Sequence, residues 1–295
     1  DFAPNYGCFR PIKVIAPAGS CVNVDYPGAC MGGNVETSTR VVDTVIKALS
    51  QAVPPENIKA ACGGTLYDQT AGGIHHETGQ AYVHYQYWGG GMGGRASKDG
   101  NNALIPYATN NQTQGVEILE SEFPIMFEEF GLMQDTPGAG RYRGGVGCVY
   151  SWRLLGDEAI LSSLGDRTKI PPYGLFGGIS PRPRKCGHYG DTRIKRAESN
   201  EFLHVTDLTG AVSPSKWSRV MIHRGDVLET ILPGGGGYGD PYERDPELVL
   251  RDVLNEYISV SSARELYGVV IDPRQMKIDY EHSAELRSGE RRSNT

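Results

Sequence analysis

Glycine placement limits this chain more than any other feature. Glycine supplies 39 of its 295 residues, close to twice the usual share of about 7%. The glycines gather in short motifs, chiefly GGGMGGR at 89–95, GAGRYRGGVG at 138–147 and PGGGGYG at 233–239. Such clusters favour tight turns and close approaches between backbones in an ordered protein. They do not form a nucleotide loop of known type. GGGMGGR lacks the following Gly-Lys-Ser/Thr of a phosphate-binding loop, its spacing is not that of a dinucleotide fingerprint, and PGGGGYGDP fails the same tests. Two readings of 89–99 stay open. It is a structural turn, or it is an anion site in which successive backbone N–H groups act with Arg95, Lys98 and Asp99.

The formal net charge is -6 and the pI about 5.7. No basic patch dominates, which argues against nucleic acid and acidic membrane surfaces as partners. No apolar run approaches the roughly 18 residues of a membrane span. The opening DFAPNYGCFR lacks the basic-then-apolar order of a signal peptide. Cys8, Cys21, Cys30, Cys62, Cys148 and Cys186 contain no CxxC pair, so reduced thiols in a cytoplasmic protein are expected rather than a zinc knuckle or a disulfide framework.

The pattern predicts an α+β fold: a glycine-rich mixed part over 1–137, a β-rich part over 138–240, a C-terminal helical hairpin over 241–280 and a flexible tail over 281–295. Residues 9–24 read as two short strands around a turn at 16–19. Asn34 is a suitable N-cap, and Val41, Val42, Val45, Ile46 and Leu49 give a helix over 35–52 with an apolar face. A buried strand is expected from Ile58 toward Gly72. The aromatic run Tyr82, His84, Gln86, Trp88 predicts a further strand, with His84 as a packed core residue. A helix before Pro124 and a strand after it are expected. Asp245 is an N-cap with Pro246 in the first turn, and a second helix runs from near Ser259 to a C-cap at Gly268. The polar segment after Tyr280 reads as loose.

Several polar groups carry alternatives. Glu36 and Arg40 are an i,i+4 pair, or Glu36 is a carboxyl acid or base at a helix N-terminus facing a pocket. Arg141, Arg143, Asp166 and Arg167 form structural ion pairs or recognise a carboxylate or phosphate. His75-His76-Glu77 reads as a solvated turn, because adjacent histidines cannot easily share one metal.

The ordered set GCFRPIKVIAPAGSCVN, GGNVETSTRVVD, GGGMGGRASKDG, PGAGRYRGGVG, LGDRTKIPPYGLFGG and PGGGGYGDPYERDPELVLRDVLNEYISVSSARELYGVVID resembles the B-subunit family of ATP-dependent hydantoinases, hydantoinase B/oxoprolinase. That family also includes a large subunit of acetone and acetophenone carboxylases. The resemblance covers about residues 5–272. It implies a hydantoinase A-like ATP-binding partner subunit, holding ATP and Mg, that phosphorylates the substrate oxygen. It also implies a further chain or segment that supplies an N-terminal half and carries the ligands of a divalent metal. No metal ligand is assigned within these residues.

The chain would then be a B-type subunit, or its C-terminal part, of a cyclic-amide hydrolase. A ketone carboxylase subunit and a non-catalytic assembly module are the alternatives. Within this reading Glu36 and Asp99 are the acid/base candidates. Asn34, Arg40, Arg95, Lys98, Thr109, Asn110, Glu117, Arg141 and Arg167 are the substrate-binding candidates. In ALIPYATNNQTQGVE, Thr109, Asn110 and Glu117 match a family segment, whereas its histidine positions carry Ile105 or Pro106 and Tyr107. That departure motivates the carboxylase alternative.

Overall fold

The computed structural model describes residues 5–30, 32, 36–105 and 113–293. In chain order these form α1 (Tyr6–Phe9), α2 (Glu36–Leu49), β1 (Leu66–Ile74), β2 (Ala81–Gly89), α3 (Val116–Glu122), β3 (Ile125–Leu132), β4 (Cys148–Leu154), β5 (Glu158–Gly165), β6 (Asp191–Lys195), β7 (Phe202–His204), α4 (Val205–Thr209), β8 (Lys216–His223), β9 (Val227–Ile231), α5 (Pro246–Leu254), α6 (Val260–Tyr267), β10 (Val270–Asp272), β11 (Lys277–Asp279) and α7 (Tyr280–Ser293). The fold is α+β.

Two antiparallel sheets carry the core. One has the order β2-β1-β5-β8 and the other β3-β4-β9-β6-β7. Each joins strands from both sides of residue 137. Alternation along β2 turns His84, Gln86 and Trp88 inward and Val83 and Tyr85 outward. Inner-face residues of the first sheet, among them Tyr67, Trp88 and Leu161, share one apolar cluster with Tyr150, Trp152 and Leu228 of the second. The Trp88 and Tyr150 rings stack with centroids 4.0 Å apart. His84 lies in this interior, 4.8 Å from the Phe123 ring, and burial depresses its imidazole to about 4, so it is a neutral core residue.

The glycine motifs answer the question they raise. Segments 61–64, 89–94, 138–147 and 233–239 lie against one another as bare backbone. Gly90 N–H donates to Thr65 O, Gly91 to Pro233 O, Met92 to Asn101 O, Gly94 to Gly236 O, and Arg95 to Lys98 O. A Cβ on Gly91 would sit 1.8 Å from Gly145 O. Only glycine allows this spacing. The same bonds occupy the N–H groups of Gly90, Gly91, Met92, Gly94 and Arg95, which leaves few donors for the anion-site reading of 89–99.

The C-terminal helices follow their caps. Asp245 Oδ1 accepts from Glu247 N at 3.0 Å, Ser259 Oγ accepts from Ser262 N at 3.1 Å, and Gly268 closes α6 at φ +61°. Val249, Val253, Ala263 and Tyr267 form a satellite core between them.

Three expectations fail. Residues 9–24 make turns rather than strands, with an isolated bridge between Ser20 and Asn23; Pro11 and Pro17 lack the donors a ladder needs. The strand expected from Ile58 begins at Leu66, past the glycines. The segment expected to be loose is helix α7. Ser283 Oγ accepts from Val270 N at 2.9 Å, and the Arg287 guanidinium donates to Tyr267 O and Arg244 O, both at 2.9 Å. These contacts tie a polar helix to the body without an apolar face.

Candidate functional site

The predicted polar residues separate into two buried groups and a scattered remainder. The first group locks the glycine loop to the C-terminal helices. Arg244 is bidentate to Asp99, Nη1 to Oδ1 at 2.7 Å and Nη2 to Oδ2 at 2.8 Å. Its Nη2 also meets Asp252 Oδ2 at 2.7 Å, and Arg143 Nε takes Asp252 Oδ1 at 2.9 Å. Arg143 N donates to Asp99 Oδ1 at 2.9 Å. Every oxygen of both carboxylates is engaged. Burial alone would raise Asp99, but Arg244 and then Arg143 outweigh it and hold the carboxyl below its usual value. In this arrangement Asp99 is an ionised clamp.

The second group centres on α2, whose inner face mixes polar residues with Ile46, packed on the Ile58–Leu175 cluster. The helix buries Glu36, Thr39 and Asp43, while Val41, Val45 and Leu49 are 44%, 50% and 46% exposed. Arg40 does not pair with Glu36. Its guanidinium reaches Asp43 Oδ2 at 3.0 Å and Asp166 Oδ2 at 2.9 Å. Arg167, just beyond β5, meets Asp43 Oδ2 at 3.0 Å. Thr65 Oγ1 donates to Asp166 Oδ1 at 2.9 Å, and the Tyr173 hydroxyl donates to Asp43 O. Asp68, on β1, adds a fourth carboxyl and accepts from the Tyr85 hydroxyl at 3.2 Å.

Two guanidinium groups therefore engage Asp43 and Asp166 out of four carboxyls, Asp68 takes the Tyr85 hydroxyl, and Glu36 is left over. Among the described residues neither of its buried oxygens meets a fixed donor. Its carboxyl adjoins that of Asp166, and two carboxyls hydrogen-bond only when one is protonated. Burial first, then the charges of Asp166 and Asp68, push Glu36 far above the carboxylate range. That environment favours its neutral form at pH 7. Burial also lifts Asp68, to about 6, against the opposing Tyr85 hydrogen bond. Asp68 and Tyr85 open on a cleft of about 380 Å³ lined further by Ser162, Lys216 and Trp217. One carboxyl held neutral beside one titrating near neutrality is an arrangement suited to acid and base steps.

The other predicted residues are not drawn into either group. Arg95 caps its own loop, donating to Asp99 O at 2.7 Å and Asn101 Oδ1 at 2.6 Å. Lys98 and Glu117 are exposed. Arg141 is half-exposed, 3.9 Å from Glu243. Asn34, Thr109 and Asn110 lie outside the described residues. Sequence reasoning missed Asp68 and Tyr85. The available signal was a charged residue in the middle of the strand-like run LYDQTAGG. Among the described residues no three His, Cys, Asp or Glu side chains converge as a metal-holding group, and no helix is long and apolar enough to cross a membrane.

Comparison with known proteins adds relatives. An uncharacterized protein of Methanocaldococcus jannaschii is 37% identical over 97% of this chain and 47% of its own length. A Pseudomonas sp. protein, assigned as the B-type component of a D-/L-hydantoinase, is 32% identical over 97% of this chain and 45% of its own. The solved ATP-dependent caprolactamase from Pseudomonas jessenii shares the fold, with a TM-score of 0.74 at 23% identity over 97% of this chain and 48% of that one. The chain thus spans about half the length of the relatives it matches. With residues 1–241 matching its family description, this chain belongs to the hydantoinase B/oxoprolinase family.

Proposed function

We propose that this chain forms the acid/base half of a B-type subunit in an ATP-dependent cyclic-amide hydrolase. The observation that carries the reading is the buried Glu36 carboxyl, without a fixed donor among the described residues and pushed toward its neutral form by burial and the nearby Asp166 and Asp68, together with Asp68 lining a cleft. A hydantoinase A-like partner would phosphorylate the amide oxygen of the ring, which makes the carbonyl carbon a good target for water. Asp68 would take a proton from that water. Glu36 would deliver one to the ring nitrogen as the C–N bond breaks, and the acyl phosphate left behind would lose inorganic phosphate to a second water, giving the carboxylate. Each transfer contributes on the order of 10²–10⁴-fold. Arg40 and Arg167, pinned by Asp43 and Asp166, would fix the electrostatics of the cluster rather than leave it to bind substrate. Asp99 would hold the glycine loop in place.

ATP and its Mg belong on the partner in this reading, because the N–H groups of Gly90, Gly91, Met92, Gly94 and Arg95 have acceptors of their own. A divalent metal, where the reaction uses one, belongs to the half of the family length that this chain does not match. A cytoplasmic setting suits six cysteines that are all free.

The test is reconstitution with an A-type subunit and the complementary half, followed by ATP-dependent opening of hydantoin, 5-oxoproline and caprolactam. Glu36→Gln and Asp68→Asn should each lower turnover at least about 100-fold while the complex still assembles. Wild-type turnover in both variants overturns the assignment. ATP turnover that requires bicarbonate and a ketone moves the chain to the carboxylase reading.

A further inference from the structure

Helix α2 packs Ile46 inward but turns a second apolar stripe to solvent. Val41, Val45 and Leu49 follow at i, i+4 and i+8, a continuous stripe, and all three are about half exposed. A helix at a free surface normally buries such a stripe. This one cannot roll over to do so, because Asp43 is held by Arg40 and Arg167, and its carbonyl by Tyr173. At its N-terminal end the stripe continues into a hollow of about 540 Å³ lined by Val22, Val24, Cys30 and Val41. Val22 and Val24 are themselves 50% and 47% exposed. An apolar surface of this kind marks an interaction site.

The occupant follows from length. Relatives that match 97% of this chain carry as much polypeptide again, since the match takes in only 47% and 45% of them. We propose that the outward stripe Val41–Val45–Leu49 is the docking face for the complementary half of the family-length subunit, which thereby closes over the end of α2 that carries Glu36. This rests on the reading of the chain as half of a B-type subunit. It adds where the halves meet and why α2 keeps an apolar stripe outward: its inner side serves the carboxyl cluster and the Ile46 contacts, and its outer stripe serves the interface.

The complementary half of the Methanocaldococcus jannaschii relative, produced as a separate chain, is the probe. Its affinity for this chain is measured by titration calorimetry without ATP or substrate. Val45→Glu with Leu49→Glu should weaken binding at least tenfold, and Val45→Ala with Leu49→Ala should weaken it less. Val212→Glu, at an exposed residue of the loop before β8, should leave it unchanged. Circular dichroism should show all variants folded, because the substituted side chains face solvent. No binding by the wild type, or equal binding by the double glutamate variant, overturns the proposal. So does a wild-type homodimer, seen by sedimentation, that the same variant dissociates, which would make a second copy the occupant. Competition for the stripe by an A-type subunit would overturn it too. Binding with no lactam hydrolysis sinks the catalytic reading and leaves the interface standing.

Discussion

Two of the buried charge clusters contrast, and only one of the two is balanced. At Arg244 two arginines meet two aspartates, and all four carboxylate oxygens have partners. Around Arg40 two arginines meet only Asp43 and Asp166, and Glu36 and Asp68 lie close by without a cation of their own. The first arrangement is what a structural tie requires, because a buried ion survives only when paired and hydrogen-bonded. The second keeps a carboxyl that must stay protonated. Both lie on loops and elements distant in sequence, so burial alone does not distinguish a clamp from a site. The surplus of carboxyls over cations does.

The largest effect should come from breaking the balanced set. Arg244→Met leaves Asp99 and Asp252 without their shared cation and should cost about 3–5 kcal/mol in a denaturant melt. Arg167→Met removes a cation from the surplus set, where Asp43 is already raised by burial and can take up a proton. The expected loss is smaller, about 1–3 kcal/mol. Equal losses would mean that the two sets are alike.

Proton linkage sharpens the contrast, because the sets titrate with opposite signs. Glu36 is raised in the folded state, so its contribution is complete below its ordinary value of 4.5 and drains away as pH rises toward the folded value. Asp99 is lowered, so its contribution is present above 3.8 and is lost as pH falls through the folded value. Stability measured across pH should lose the part of its decline that sets in above about pH 4.5 in Glu36→Gln, and part of its acid decline in Asp99→Asn. The smallest effect belongs to Arg95→Gln. Its half-exposed guanidinium caps only its own loop, and the change should stay within about 1 kcal/mol.

How much of this was legible depended on the range of the interactions. Helices α5 and α6 were readable because their caps are local: Asp245 and Ser259 bond within three residues. The position of α2 was readable from its periodicity, but its facing was not. Apolar spacing assumes that valines point inward, and here Asp43, tied to Arg167 across 124 residues, decides instead. Glycine content announced close backbone contacts without saying that Gly91 would meet Gly145. Glu36 was found as a helix-start carboxyl. Asp68 and Asp166, which make its chemistry, are 32 and 130 residues away and join it only through the sheet. Asp99 shows the converse: a motif acid that looked available is consumed by Arg244.

The central claim is that Glu36 is a protonated acid at neutral pH. Infrared difference spectroscopy of the wild type against Glu36→Gln tests it directly, with Asp99→Asn as the ionised comparison. The account predicts a carboxylic-acid carbonyl band at pH 7 that vanishes in Glu36→Gln and persists in Asp99→Asn. A carboxylate signal in its place, lost on the same substitution, would show Glu36 ionised and would contradict the account.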